Sequence, residues 1–198
     1  MKSALAQSLQ MPGVSGMENN TVLFESSVHD PAAVLDEILD GCGLAQVAQM
    51  NRLVLRHTDH FFGNRKAIHV WLTWHDYRNA NLMILLAYIL LGHPDWKDGE
   101  ITLYAAYPKP DVKERSEELR KMITEGRLLI SEKNVQLFGT DDRTDFNRLV
   151  AVKSEHADLV IRGFTEAKLK EKGPALFEKH RELKDILWVS AEERIFIE

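Results

Sequence analysis

Apolar residues run along this chain in two alternating periods. From Ala67 to Trp74 they form a nearly continuous run, interrupted by His69 and Thr73. A polar turn carrying Asp76 follows, and then Leu82 to Leu91 are apolar at every position. A Trp96-Lys97 turn leads into a second apolar run ending near Tyr107. Residues 65–107 therefore predict strand, helix and strand within an α/β domain whose sheet is covered on both faces.

The same reading extends to the end of the chain. Strands are expected at 67–74, 100–107, 133–138, 158–163 and 186–190, and helices at 78–91, 111–125, 143–155 and 166–182. Val112, Leu119, Met122 and Ile123 mark one side of the second of these helices, and Phe146, Leu149 and Val150 mark the third. Gly173-Pro174 splits the last. Strands alternating with helices predict a doubly wound, mostly parallel five-stranded sheet, with right-handed crossovers placing helices on both faces.

An earlier unit precedes it. A helix end is expected over residues 2–10 and is broken by Pro12, Gly13 and Gly16. Thr21 to Glu25 and Arg52 to Arg56 read as strands. Between them Asp30-Pro31 opens a helix, with Asp30 as N-cap and Pro31 as its first residue. Val34, Leu35, Ile38 and Leu39 recur at helical spacing, Gly41 and Gly43 interrupt the helix, and Leu44 to Met50 add a further turn or two. Strand, helix and strand alone cannot bury a core. Two readings stay open: residues 1–64 end a first lobe that precedes a complete lobe at 65–198, or they add strands to the edge of the main sheet.

Composition narrows the class. Apolar residues make up 44% and charged residues 28%, as in ordinary soluble domains. The net charge of −5 argues against nucleic acid as a partner. Cys42 is the single cysteine, which excludes an intrachain disulfide and suits a reducing compartment. The N-terminal residues lack the apolar core of a signal peptide. Leu82–Leu91 would span about 15 Å as a helix, half of a bilayer's hydrocarbon core, so this run does not cross a membrane.

Candidate chemistry is sparse. His57, Asp59 and His60 cluster in a loop, and His69, His75 and Asp76 follow; such residues bind zinc when a rigid face gathers them. A small metal-binding or hydrolytic enzyme using His57, His60 and Asp76 is one rival reading, although surface or packing roles suit the spacing better. Asp76 lies just past the end of a strand, the edge where open α/β sheets bind ligands. It is expected to be a turn acid or the N-cap of the next helix. Neither GxGxxG, GxxxxGK[ST] nor GxSxG occurs. After the 158–163 strand, Phe164, Glu166, Lys168 and Glu171 stand where a phosphate loop needs small residues. No catalytic residue, cofactor or metal is expected. The wholly apolar 78–91 helix needs cover beyond the sheet, which makes Leu82, Ile84, Leu85, Tyr88 and Ile89 a candidate interface. Burial by flanking helices of the same domain is the competing account.

Two passages resemble the cytosolic C-terminal domain of the cation–chloride (sodium-potassium-chloride) cotransporter family, prokaryotic type. In Leu9 to Phe24 (LQMPGVSGMENNTVLF), Gly13, Gly16, Met17, Asn20 and Thr21 match, while Asn19 stands where many members have proline. In Ile68 to Tyr104, Trp71, Leu72, Asp76, Leu82, Leu85, Leu86, Tyr88, Leu90, Leu91, Trp96 and Lys97 match, while Ala80-Asn81 replaces a common glycine pair. Ala157 to Gly163 fits the family's fourth strand. The resemblance spans nearly the whole chain and is looser after residue 104. It implies a universal-stress-protein-like fold in two lobes and a non-catalytic regulatory and assembly role on the cytoplasmic side of the cell membrane. The implied partners are the transmembrane domain of a parent transporter and a second copy of this chain. A soluble nucleotide-binding protein of the universal stress class is the alternative on the same fold.

Overall fold

The computed structural model describes residue 7 and residues 19–76, 78–125 and 130–193. Gln7 is helical. The rest of the 2–10 helix, its breakers Pro12, Gly13 and Gly16, and residues 9–18 of the family resemblance lie outside the described residues. The elements are β1 (Thr21–Ser27), α1 (Ala32–Val47), β2 (Asn51–His57), β3 (Ala67–Thr73), α2 (Ala80–Leu91), β4 (Glu100–Pro108), α3 (Val112–Glu125), β5 (Val135–Thr140), α4 (Phe146–Lys153), β6 (Leu159–Gly163), α5 (Glu166–Lys172) and β7 (Asp185–Ser190).

The strands among the described residues join one seven-stranded sheet in the order β1-β2-β7-β6-β3-β4-β5. Neighbours are parallel except β2 and β7, which run antiparallel with Arg52 opposite Ser190 and Arg56 opposite Ile186. The five strands expected over 65–198 are present, and the early unit extends their sheet at the β7 edge. The interior strands explain their own apolar runs. In β6 the residues from Leu159 to Arg162 are all buried, and so is every residue of β7, because helices cover both faces. The outer strands β1 and β5 are mostly half-exposed.

Strand alternation divides the core in two. Ile68, Val70 and Leu72 of β3 face a layer with Leu103, Ile161, Val189, the α2 residues Met83, Ile84 and Ala87, and Leu119 of α3. Trp71 faces the other layer, with Tyr104, Val160, Ile186, Trp188, Cys42 of α1, Val150 of α4 and Leu169 of α5. Trp71, Tyr104 and Phe138 stack there, with Trp71 and Tyr104 ring centroids 4.5 Å apart.

Several local expectations are corrected. Helix α1 runs unbroken through Gly41 and Gly43, because Gly41, Cys42 and Ala45 are small residues buried against the sheet. Its N-cap is Pro31; Asp30 instead accepts a hydrogen bond from the Ser27 N–H at 2.7 Å. The last helix stops at Lys172 rather than 182, since Gly173 takes a positive φ of 54° and Pro174 follows. A 3-10 turn at Gly173–Leu176 replaces its continuation. The 57–66 loop is tied down by two buried carboxylates. Asp185 accepts from Thr58 N at 2.7 Å and from Phe62 N, and Asp158 accepts from Asn64 N, Lys66 N, Ala67 N and the Lys184 ammonium.

Candidate functional site

Chain order reverses between β3 and β6: successive strands proceed outward through β4 to β5 on one side and through β7 on the other. In such sheets the carboxyl ends beside the reversal form a crevice. Here the protein fills the mouth of that crevice with its own groups. Thr73 ends β3 and a 3-10 turn, Trp74–Asp76, folds back over it. Asp76 is 4% exposed and accepts hydrogen bonds from Thr73 N at 2.8 Å and Thr73 Oγ1 at 2.6 Å. Asn79 bridges to the other side: its Nδ2 donates to Phe164 O at 3.1 Å, and its Oδ1 accepts from Ala191 N at 2.9 Å. Gly163 lies directly beneath, so close that a β-carbon built there would sit 1.7 Å from Asp76 Oδ1. A glycine backbone is therefore present at the reversal, but a carboxylate occupies the space in front of it.

Two clefts flank this plug. One, of about 430 Å³, lies on the α2–α3 side and is lined by Leu72, Trp74, Tyr107, Arg115 and Glu118. The Arg115 guanidinium stacks 4.3 Å from the Trp74 ring centre and pairs with Glu118, which leaves that cleft near electrical balance. The other, of about 400 Å³, lies on the α4–α5 side and is lined by Arg162, Lys168, Lys172, Lys179 and Trp188, with Thr73 and Trp74 shared between the two. Sequence reasoning did not gather these four cations into one place. Lys168 entered only as a side chain too large for a phosphate loop, Lys172 ends the same helix, and Lys179 lies beyond the helix-ending Gly173. The one legible signal was Arg162, a charged residue inside an otherwise apolar strand.

The residues singled out from the sequence fall in different places. Asp76 is a turn acid, and the N-cap of α2 is Asn79. His57 ends β2, which runs opposite to β3, so His57 and Asp76 lie at opposite ends of the sheet, about 20 Å apart by strand rise. That separation removes a site built from His57, His60 and Asp76. His57 stacks on Phe61, with centroids 4.6 Å apart, and lies 3.5 Å from Glu25. Asp59 contacts His29 at 3.1 Å. His69 packs inside, its Nδ1 3.0 Å from Ser154 Oγ; burial, opposed by Asp158, lowers its pKa to about 4, so it stays neutral. His75 is exposed. Among the described residues, no group of three or more His, Cys, Asp and Glu is placed to hold a metal ion. Cys42 is fully buried, and burial pushes its thiol up to about 12, which leaves it an inert packing group.

The candidate interface divides across α2. Leu82 and Ile84 are buried in this chain's own core, Leu85 and Tyr88 are half-buried, and Ile89 is 61% exposed. The helix thus gains much of its cover from its own sheet and α3, and its open side is centred on Ile89. Among the described residues no helix is long and apolar enough to cross a membrane.

No family model matches the sequence, and no curated protein matches it. Solved structures do. The chain resembles the cytoplasmic domain of a prokaryotic cation chloride cotransporter, with a TM-score of 0.63 and 15% identity over 96% of this chain and 69% of that one. It resembles a protein of unknown function from Pseudomonas aeruginosa PAO1, with a TM-score of 0.55 and 14% identity over 96% of this chain and 68% of the other. It also resembles a universal stress protein from Archaeoglobus fulgidus DSM 4304, with a TM-score of 0.51 and 8% identity over 94% of this chain and 74% of that one. At these identities the likeness establishes the fold: an α/β domain of the universal-stress-protein type, which the cytoplasmic domain of a cotransporter shares.

Proposed function

We propose that this chain is a non-catalytic regulatory and assembly domain on the cytoplasmic side of a cation–chloride cotransporter-like membrane transporter. The observation that carries this reading is the match over 96% of the chain to a cotransporter cytoplasmic domain, joined to the sequence resemblance at 9–24 and 68–104. The plugged crevice adds support, since Asp76 and Asn79 occupy the place where a catalytic or cofactor group would sit. In this reading residues 1–64 complete a first lobe and 65–198 form a second. The domain joins two subunits and links their cytoplasmic state to the transmembrane domain.

The open side of α2 is the dimer contact in this reading. Sedimentation velocity on the whole chain, wild type beside Ile89→Glu, tests it directly. A concentration-dependent dimer that Ile89→Glu disperses is expected; a wild-type chain that stays monomeric at hundreds of micromolar sinks the assembly role. Coupling to transport has its own test. Deleting residues 65–198 from a parent transporter is expected to abolish or deregulate ion uptake, and unchanged uptake removes the regulatory role.

A further inference from the structure

Strand β1 ends the sheet, and its outer backbone is open. Asn51 N donates to Asn20 O at 2.8 Å, and Val28 N donates to His57 O at 3.0 Å. Backbone groups of successive strand residues point to opposite sides, so only alternate residues bond a given parallel neighbour. Even-numbered residues of β1 therefore face β2, and Thr21, Leu23, Glu25 and Ser27 turn their N–H and C=O groups outward. Asp30 closes one end of that row by accepting from Ser27 N at 2.7 Å. Among the described residues no strand pairs with the outer side of Thr21, Leu23 or Glu25.

Exposed strand edges are ordinarily blunted by lysine, proline, a bulge or a covering element. β1 (TVLFESS) has no lysine and no proline, and it pairs with β2 in unbroken register. Its only charged residue is Glu25. Leu23 is 56% exposed, on the face that β2 continues with Leu53 and Leu55. Val22 and Phe24 are half-buried on the opposite face, where Phe24 packs into the α1 layer. An apolar edge of this kind is built to receive another strand.

We propose that β1 pairs antiparallel with β1 of a second copy of this chain, about a two-fold axis at Leu23, so that two sheets become one. This register sets Leu23 against its own counterpart, Thr21 against Glu25 and Val22 against Phe24. Every outward backbone group of Thr21, Leu23 and Glu25 then finds a partner. The strand's one charge meets a neutral residue, and Val22 with Phe24 forms a β-branched–aromatic pair, which favours antiparallel strands. A pairing centred on Glu25 would oppose two carboxylates, and one centred on Thr21 would carry Glu25 past the end of the strand. β1 is thus complementary to itself, as an isologous contact requires. So short a contact belongs at the weak end of protein interfaces. It stands on β1 alone and is independent of the transporter reading. Helix α2 packs over β3 and β6, away from this edge, so chains joined through α2 keep their β1 edges and assemble beyond a pair.

Disulfide trapping under mild oxidation with diamide reads a contact this weak. Cys42 is fully buried, so an added surface cysteine supplies the reactive thiol. In the proposed register the two Leu23 Cα atoms lie about 5.5 Å apart, within disulfide reach. The two Thr21 Cα atoms lie about 14 Å apart. Leu23→Cys is expected to form covalent dimers about tenfold faster than Thr21→Cys or Val47→Cys, although Val47 is the more exposed side chain at 85%. In the Leu23→Cys background, Thr21→Lys, set against Glu25, is expected to speed trapping several-fold, and Thr21→Glu to slow it as much. Leu23→Cys trapping no faster than Val47→Cys overturns the contact, and equal rates with Thr21→Lys and Thr21→Glu overturn its register. Adding Ile89→Glu is expected to leave trapping unchanged, so this contact and the α2 contact fail separately. Trapping abolished by Ile89→Glu would assign the cross-link to the α2 pair and overturn the proposal.

Discussion

Gly163 stands where no side chain fits, because the carboxylate of Asp76 fills the space that a methyl group would take. Gly163→Ala is expected to cost about 2–3 kcal/mol, since Asp76 must then leave Thr73 or β6 must shift. Urea unfolding measures it, and an unchanged midpoint would show that the carboxylate yields freely. Asp158 acts similarly at the other end of the sheet. Burial alone would raise its pKa, but the Lys66 N–H, the Lys184 ammonium and the Asn64 and Ala67 N–H groups outweigh burial and hold the carboxyl below its ordinary value. A depressed carboxyl stabilises the fold above its unfolded pKa, near 4, and that contribution disappears as pH falls through the lower folded value. Wild-type stability should therefore fall below about pH 4, and Asp158→Asn, weaker at pH 7 by about 2 kcal/mol, should show a shallower acid decline. Parallel acid profiles for the two proteins would contradict that assignment. At this scale the sequence was partly legible. Asp76 read correctly as a turn acid, whereas the cation-rich cleft did not show, because Arg162 and Lys179 meet only after Gly173 has turned the chain.

The elements follow local pattern where burial is continuous. The apolar run of β3 and the unbroken Leu82–Leu91 stretch of α2 located both elements to within two residues. Glycine misled in α1, where two glycines suggested a break that does not occur. Their roles differ: Gly41 is buried, while a β-carbon at Gly43 would meet nothing within 4 Å. Gly43→Ala is accordingly expected to stabilise the protein by about 0.5–1 kcal/mol, through helix propensity and a stiffer unfolded chain. A loss of stability in chemical denaturation would mean that the helix needs flexibility there. Helix α2 gives the opposite contrast. Ile84→Ala, fully buried, should cost about 2–4 kcal/mol, whereas Ile89→Ala should leave the monomer's denaturation curve almost unmoved. Similar losses at both positions would contradict the division between an inward and an outward face.

Across the whole molecule, the parallel five-strand arrangement was legible because strand and helix alternate along the sequence. The place of β1 and β2 was not. Nothing near Arg52 announces that its partner is Ser190, and nothing in the alternation of Leu53 and Val54 reveals that β2 runs against its neighbour. Pairings across such distances are set by the assembled sheet rather than by local composition. The same distance explains the early histidines, which the antiparallel join carries to the end of the sheet remote from Asp76.

That join also dictates an order of events. β7 is a keystone, bonded on one side to β6 and on the other to β2. During synthesis β1, α1 and β2 leave the ribosome long before the strand they lean on, and must wait with one margin bare until residues 185–190 emerge. A nascent chain halted before residue 185 exposes two raw margins at once, and so would be prey for chaperones and proteases until its arch is closed.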